Sequence, residues 1–450
     1  MEIREIRLSN VGRFKDLEVA FAPTEKHPSK VTVFVGNNGS GKTTLLKSLA
    51  TALSWFVASI REDKGEGDPL EEGLIHNGAT TATIAVDIRS LANGSNGRDF
   101  DCSWMLAKSR RGRRAQAQTD VKQVRDLAEN YRDILSLVDD RASLPLIAYY
   151  PVERSVLDIP LDLVKGKMPD PFDGYDKSLN RGVDFSKFFE WFRDREDIEN
   201  ENGISHSAMA ELSKKLDKDD RLWKEIEAIN SLSRDIQLKA VRNAISRFMP
   251  GFSNLRVLRH PHLHMVIDKA GQSLNVTQLS QGEKSIMALV GDIARRLAIM
   301  NPSEKDVLAG SGVVLIDEVD LHLHPKWQRR LINQLTETFP NCQFILTTHS
   351  PLVISDTKDV LCYVLDDGEL EEHNGLYGMD ANQVLLSVMD TDVRNSEVQA
   401  RLDRLLELLQ DKKLQQAKAL FEELSAELAP DHIELTKAAL LIRKLELRSA

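Results

Sequence analysis

The hydrophobic positions along this chain change period several times, and each change marks an element. Val31 to Val35 is a continuous β-branched run that predicts a buried strand, and Thr44 to Val57 predicts the helix after it. Gly312 to Asp317 ("GVVLID"), apolar up to its closing acid, and Gln343 to Leu346, apolar after its first residue, are further runs that predict buried strands. Leu279 to Ala298 instead repeats at helical spacing, with Ile286, Leu289, Val290, Ile293 and Leu297 along one face. Thr80 to Ile88 and Asp99 to Leu106 predict antiparallel strands around the turn-rich "ANGSNGRD", and Thr119 to Val138 predicts a helix. Phe185, Phe188, Phe189 and Phe192 fall at i, i+3, i+4 and i+7, which favours a core-facing stripe, while residues 165–182 read as a loop. Near the end, Val398, Leu402, Leu405 and Leu409 form one amphipathic run, and Ala417, Leu420, Leu424 and Leu428 form another. After Pro430 a third runs from Ile433 to Leu447, so this part is expected to be a small bundle or a docking module.

The strand Val31–Val35 leads directly into "GNNGSGKT". Gly36, Gly41, Lys42 and Thr43 match the G-x-x-x-x-G-K-[ST] pattern of a phosphate loop without a gap. Glycines let consecutive backbone N–H groups turn toward phosphate oxygens, and the positive end of the following helix adds to that field. Lys42 is expected to reach the β- and γ-phosphates, and Thr43 to offer its hydroxyl to Mg²⁺.

The strand "GVVLID" ends in Asp317 and is followed at once by Glu318. Two acids at the carboxyl edge of a parallel sheet stand where ligands bind in α/β folds. Asp317 suits Mg²⁺, held through water, and Glu318 suits polarising the water that attacks the γ-phosphate. Ser280 and Gly282 open the periodic helix and form a second anion site, which makes sense if it grips a nucleotide held by another subunit. His349, just past the strand in "FILTTHSP", is placed to contact the γ-phosphate and report its presence.

Composition narrows the class. A chain of 450 residues with 42% hydrophobic and 28% charged residues has ample core for an ordinary globular protein. Three cysteines without C-x-x-C spacing suggest neither a disulfide framework nor a zinc site, and fit a reducing cytosol. The longest weakly polar run, Ser48 to Ile60, falls short of a membrane span, so no membrane partner is expected. A net charge of −10 argues against a protein that coats nucleic acid, yet "KSRRGRR" packs five basic residues into Lys108 to Arg114. That cluster reads either as a solvated loop or as a contact for DNA or RNA phosphates through Arg110–Arg114. His260, His262 and His264 alternate and would share a face on a strand, but no companion ligands support a metal there.

The order of these motifs, with "LSQGE" as signature and "LIDEVD" running into a D-loop, resembles the ABC-type ATPase head. It resembles most the RecF-like and overcoming-lysogenization-defect-like branch without a Toprim nuclease. "IREIRLSNVGRFKDLEVAF" is similar to the paired N-terminal strands of that branch. "PLIAYYPVERSV", "FFEWFRDREDIEN" and the long segment from Leu315 to Pro351 resemble stand-alone bacterial AAA-family ATPases. The PtuA subunits of Septu anti-phage systems and retron-linked ATPases are among these. The resemblance implies an α/β head of mixed antiparallel and parallel sheet with a helical insertion and a C-terminal helical module. It divides the chain into an N-terminal lobe (1–160), the insertion (161–250), a C-terminal lobe (251–390) and the module (391–450).

By position, the resemblance implies that Gly36, Asn37, Asn38, Gly39, Ser40, Gly41, Lys42, Thr43 and Thr44 cradle ATP. Thr43 and Asp317 hold Mg²⁺, while Ser280, Gln281, Gly282 and Glu283 clamp the nucleotide of an opposed subunit. Asp320 belongs to the D-loop, Glu318 activates water and His349 is the switch. No clear Q-loop glutamine follows the phosphate loop; Glu153 lies in its place. A cytoplasmic ATPase is implied that pairs head to tail as a homodimer or higher homo-oligomer. It would regulate a separate HNH-type, PtuB-like effector nuclease in anti-phage defence. The alternative is a RecF-like repair or recombination ATPase sensing DNA ends or gaps, and the basic cluster favours it. A transporter subunit fits poorly.

Overall fold

A computed structural model describes residues 1–90, 100–114, 116–138, 142–152, 169–179, 183–202, 211, 221–222, 226, 234–260, 262–389 and 394–449. Contacts divide the chain into two compact units, Met1–Met379 and Asp380–Ala450.

In the first unit, the alternating strands β1 (Glu2–Val11) and β2 (Phe14–Ala20) bury Ile6, Leu8, Phe14 and Val19 and expose the charged residues between them. They join β4 (Thr81–Ser90) and β5 (Phe100–Ser109) in an antiparallel sheet of order β2-β1-β4-β5. The unbroken apolar runs build the second sheet. Here β3 (Val31–Val35), β6 (Leu146–Tyr150), β10 (Gly312–Ile316), β11 (Cys342–Thr347) and β12 (Leu361–Asp366) lie parallel. The antiparallel β13 (Glu369–His373) closes one edge, giving the order β13-β12-β3-β11-β10-β6. Every residue of β3, β6, β10 and β11 is buried, as strands covered on both faces must be. A buried side chain joins the two sheets: Gln343 accepts from the Ile3 N–H at 2.7 Å and donates to the Ile3 and Ala22 carbonyls. A third antiparallel sheet contains β7 (Phe252–Leu258), β8 (His264–Lys269) and β9 (Gln272–Asn275).

Helix α1 (Lys42–Arg61) follows the phosphate loop. By length and composition it is the one described helix apolar enough to cross a membrane, longer than the run visible in the sequence, and most of it is buried. The helix expected from Thr119 starts instead at α2 (Lys122–Asp133), because Asp120 pairs with Met105 as an isolated bridge. Ile134–Val138 then continues as a π turn. The Phe185, Phe188, Phe189 and Phe192 stripe of α3 (Phe185–Asn202) is buried as its spacing requires. The expected loop 165–182 contains a short 3₁₀ turn at Pro171–Tyr175, and its flanks lie partly outside the described residues. "ANGSNGRD" and Glu153 also lie outside them.

Helix α5 (Gln281–Met300), the signature helix, packs against α3, α4 (Ile236–Phe248), β6 and the 3₁₀ turn. One apolar face was expected from its periodicity, yet it is buried around most of its circumference from Ser285 onward. Polar groups caught inside must therefore be paired. Asp292, wholly buried, accepts from Arg295 and Arg296 at 2.7 Å each and from the Tyr150 hydroxyl at 2.9 Å. Burial alone would raise the carboxyl of Asp292, but the two guanidinium groups outweigh it and hold the acid below its ordinary range. Removing one partner from such a cluster costs about 3–5 kcal/mol.

The second unit contains helices Ala381–Val388, Ser396–Gln410, Leu414–Glu427 and Ile433–Ser449. Leu402, Leu405, Leu409, Ala417, Leu424, Leu435, Ala438 and Ile442 form its core, which accounts for the three amphipathic runs.

Candidate functional site

The phosphate loop is shaped by two close approaches. Gly36 has φ 152°, and a Cβ there would lie 2.1 Å from the Leu365 carbonyl oxygen of β12. Gly41 has φ 110°, and a Cβ would meet the Phe14 ring at 2.5 Å. Only glycine fits either position. The loop thereby delivers the first turn of α1 to the carboxyl edge of the parallel sheet, where helix N-termini favour anions.

Lys42 is buried and donates to the carbonyls of Gly36 at 2.7 Å and Asn37 at 3.0 Å. Burial lowers its pKa, and the carboxylates of Asp317 and Glu318 partly restore it. The Thr43 hydroxyl donates to Asp317 Oδ2 at 2.7 Å. Asp317 is wholly buried; its other oxygen accepts from the Thr347 hydroxyl at 2.6 Å, and its backbone N–H donates to the Tyr150 carbonyl at 2.9 Å. Thr347 also accepts from the Glu318 N–H at 2.7 Å. One threonine at the end of β11 thus supports both acids, because β11 lies between β3 and β10 in the sheet. Glu318 itself sits in the left-handed region at φ 46°.

These groups face a cleft of about 210 Å³ lined by Arg13, residues 38–44, Asp317, Glu318 and His349. Of the residues singled out in the sequence, the structure brings together Asn38 through Thr44, Asp317, Glu318 and His349, while Gly36 and Asn37 do not line the cleft and take up Lys42 through their carbonyls. His349 is exposed at the rim, and its pKa is lowered by partial burial and then by the ammonium of Lys42. The donor set fits a hard cation: a hydroxyl and a carboxylate oxygen 2.7 Å apart, beside N–H groups suited to phosphate.

Ser280, Gln281, Gly282, Glu283 and Asp320 do not line this cleft. Ser280 caps α5 in a reciprocal box: its N–H donates to Glu283 Oε2 at 2.8 Å and its hydroxyl accepts from the Glu283 N–H. Burial would raise the Glu283 carboxyl, but the Lys269 ammonium at 2.6 Å and the Ser280 N–H hold it below its ordinary range. Gly282 lies against the D-loop, where a Cβ would be 2.4 Å from the His322 carbonyl oxygen. The Thr348 hydroxyl donates to Asp320, which ties that loop to the end of β11.

Arg13 escaped the sequence reading. It occupies the Gly12–Arg13 turn between β1 and β2, and a lone Gly-Arg turn carries no signal until the hairpin is placed beside α1. Two other expectations change. Arg110 donates to the carbonyls of Ala79 at 2.9 Å and Ile75 at 3.2 Å, so it anchors its loop; Arg111, Arg113 and Arg114 are the exposed members. His260 and His262 precede β8, and only His264 lies on it, so the three share no strand face. No cluster of metal-ligating side chains occurs among the described residues.

Residues 110–355 match the family described as "AAA domain, putative AbiEii toxin, Type IV TA system", and residues 1–80 match "AAA ATPase domain". The retron Vc95 probable ATPase of Vibrio cholerae serotype O1 biovar El Tor is 33% identical over 418 residues, covering 87% of this chain and 79% of the relative. The retron Ec83 probable ATPase of Escherichia coli is 32% identical, covering 99% and 87%. The Septu protein PtuA of Bacillus mycoides (strain KBAB4) is 40% identical over 94 residues, or 21% of this chain and 13% of that protein. Among solved structures, an Smc head bound to the C-winged helix domain of ScpA superposes with a TM-score of 0.46 at 17% identity, covering 83% of this chain and 97% of that one.

Proposed function

We propose, from the premise that this chain belongs to the AAA-domain ATPase family of the two retron relatives, that it is the regulatory ATPase of a prokaryotic defence system. ATP is hydrolysed between two heads, and the closure and opening of that pair controls a separate effector nuclease. The observation that carries the two-headed reading is the division of the site. The cleft gathers the phosphate loop, both acids and His349, while the Ser280 cap lies outside it, as half of a site would.

In this reading Lys42 and the loop N–H groups bind the β- and γ-phosphates, and Thr43 and Asp317 hold Mg²⁺. The cation, when bound, neutralises charge on the phosphate oxygens. Glu318 accepts a hydrogen bond from water and aims it at the γ-phosphate. His349 contacts the γ-phosphate at the rim, and Ser280 of the opposed head closes over it. The names of the retron and PtuA relatives support the defence role.

Purification of the tagged chain from its native host, with and without ATP, tests this. A stoichiometric nuclease whose retention depends on ATP supports the reading. A second reading, a nucleic-acid sensor, is favoured by the exposed Arg111, Arg113 and Arg114. Bound nucleic acid with no protein partner would replace the regulator with that sensor.

A further inference from the structure

Asp292 lies three turns into the signature helix, about 18 Å from Ser280. It does not line the nucleotide cleft, yet it accepts a hydrogen bond from the Tyr150 hydroxyl. Tyr150 ends β6, the strand beside β10, in register with Ile316. Its carbonyl accepts from the N–H of Asp317 at 2.9 Å, and its hydroxyl donates to Asp292 at 2.9 Å. A single residue therefore touches the acid-bearing end of β10 through its backbone and the signature helix through its side chain. Asp292 is fixed from the other side by Arg295 and Arg296, and Arg296 also donates to the carbonyls of Gly174 at 2.6 Å and Asp176 at 3.0 Å. Asp292 and Arg296 are both essentially without exposure, and the ring of Tyr150 is 1% exposed. At its free end the same helix is packed onto the D-loop through Gly282 and His322, which itself begins two residues after Glu318.

We infer that Tyr150 and Asp292 are positioning residues: a buried link that makes the Walker B strand and the signature helix of one head move as a single body. The inference rests on the two-headed reading above. A displacement of Asp317 and Glu318 when one cleft fills is then passed to Ser280, which serves the other cleft. Each head reports its own nucleotide state to its partner's site. Energetic coupling between two sites of this kind is typically about 5- to 150-fold in affinity.

The test uses Tyr150→Phe, which removes one hydroxyl and keeps the ring. Four quantities are measured: melting temperature, nucleotide affinity of the dilute chain, ATP-driven assembly in a Glu318→Gln background, and the cooperativity of ATP turnover with Glu318 intact. The expected result is unchanged affinity at the single cleft with assembly weakened about tenfold, and loss of cooperativity in ATP turnover. Arg296→Lys serves as the comparison: one ammonium cannot reach Asp292 and the carbonyls of Gly174 and Asp176 together, so it loosens the cluster while the Tyr150 hydroxyl and the Asp292 carboxylate are both kept. It is expected to melt lower yet assemble normally. If Tyr150→Phe in the Glu318→Gln chain assembles as well as its parent, the link is overturned and the clamp stands. If both variants lose assembly in proportion to their melting temperatures, the cluster is merely structural, which also overturns it. If the Glu318→Gln parent fails to assemble with ATP at all, the two-headed reading itself falls.

Discussion

The nucleotide cleft and the signature edge lie on one head, but they are built on different principles. In the cleft, groups distant in sequence converge: Thr43, Asp317 and Thr347 form one chain of hydrogen bonds across three elements. At the signature edge the bonds are local, since Ser280 and Glu283 satisfy each other within one helical turn. A convergent site is complete where it stands. A locally satisfied helix end has its groups ordered without any help from the cleft.

That contrast can be broken experimentally, and the largest effect belongs to the convergent site. Glu318→Gln should lower kcat about 10²- to 10⁴-fold while leaving nucleotide binding intact; unchanged hydrolysis would remove Glu318 from water activation. Lys42→Ala should weaken nucleotide binding about 100-fold, the scale of truncating a buried charged partner, and titration with a fluorescent nucleotide reads it. Ser280→Arg should behave differently from both. Binding to the dilute chain should stay within about twofold, while turnover at high protein concentration falls about tenfold or more. Equal loss at all concentrations would mean that Ser280 serves its own cleft.

The smallest effect concerns His349. Its pKa is depressed, so it is neutral in the folded chain where an ordinary histidine begins to charge. Its contribution to stability is present above about pH 6.5 and declines as pH falls, because the unfolded chain then takes up the proton more readily. An arriving phosphate reverses the local field. Nucleotide binding near pH 6 should therefore take up a fraction of a proton, measurable as a buffer-dependent binding heat that His349→Gln abolishes.

Much of the cleft was legible because its chemistry is written locally. A glycine loop between a strand and a helix, and a strand ending in two acids, each fit within a dozen residues. Arg13 and Thr347 were not legible as site residues, since their positions follow from strand order. A threonine in "LTTHS" supports Asp317 only because β11 runs between β3 and β10. The periodicity of α5 gave its apolar face correctly but hid the Asp292 cluster. Arg295 and Arg296 are buried, in a helix packed against α3, β6 and the Pro171–Tyr175 turn, which come from distant parts of the chain. The basic cluster shows the opposite failure. Arg110 belongs to it by composition, yet the carbonyls of Ile75 and Ala79 take it up.

The backbone of Glu318 has a consequence beyond turnover. A glutamate held at φ 46° sits where a β-carbon crowds its neighbouring carbonyl, at a cost of about 1–2 kcal/mol relative to ordinary backbone. Glycine, or to a lesser degree asparagine, adopts that geometry with little penalty. Relieving that strain should therefore make the fold tougher. A Glu318→Gly chain is expected to melt higher than the working enzyme.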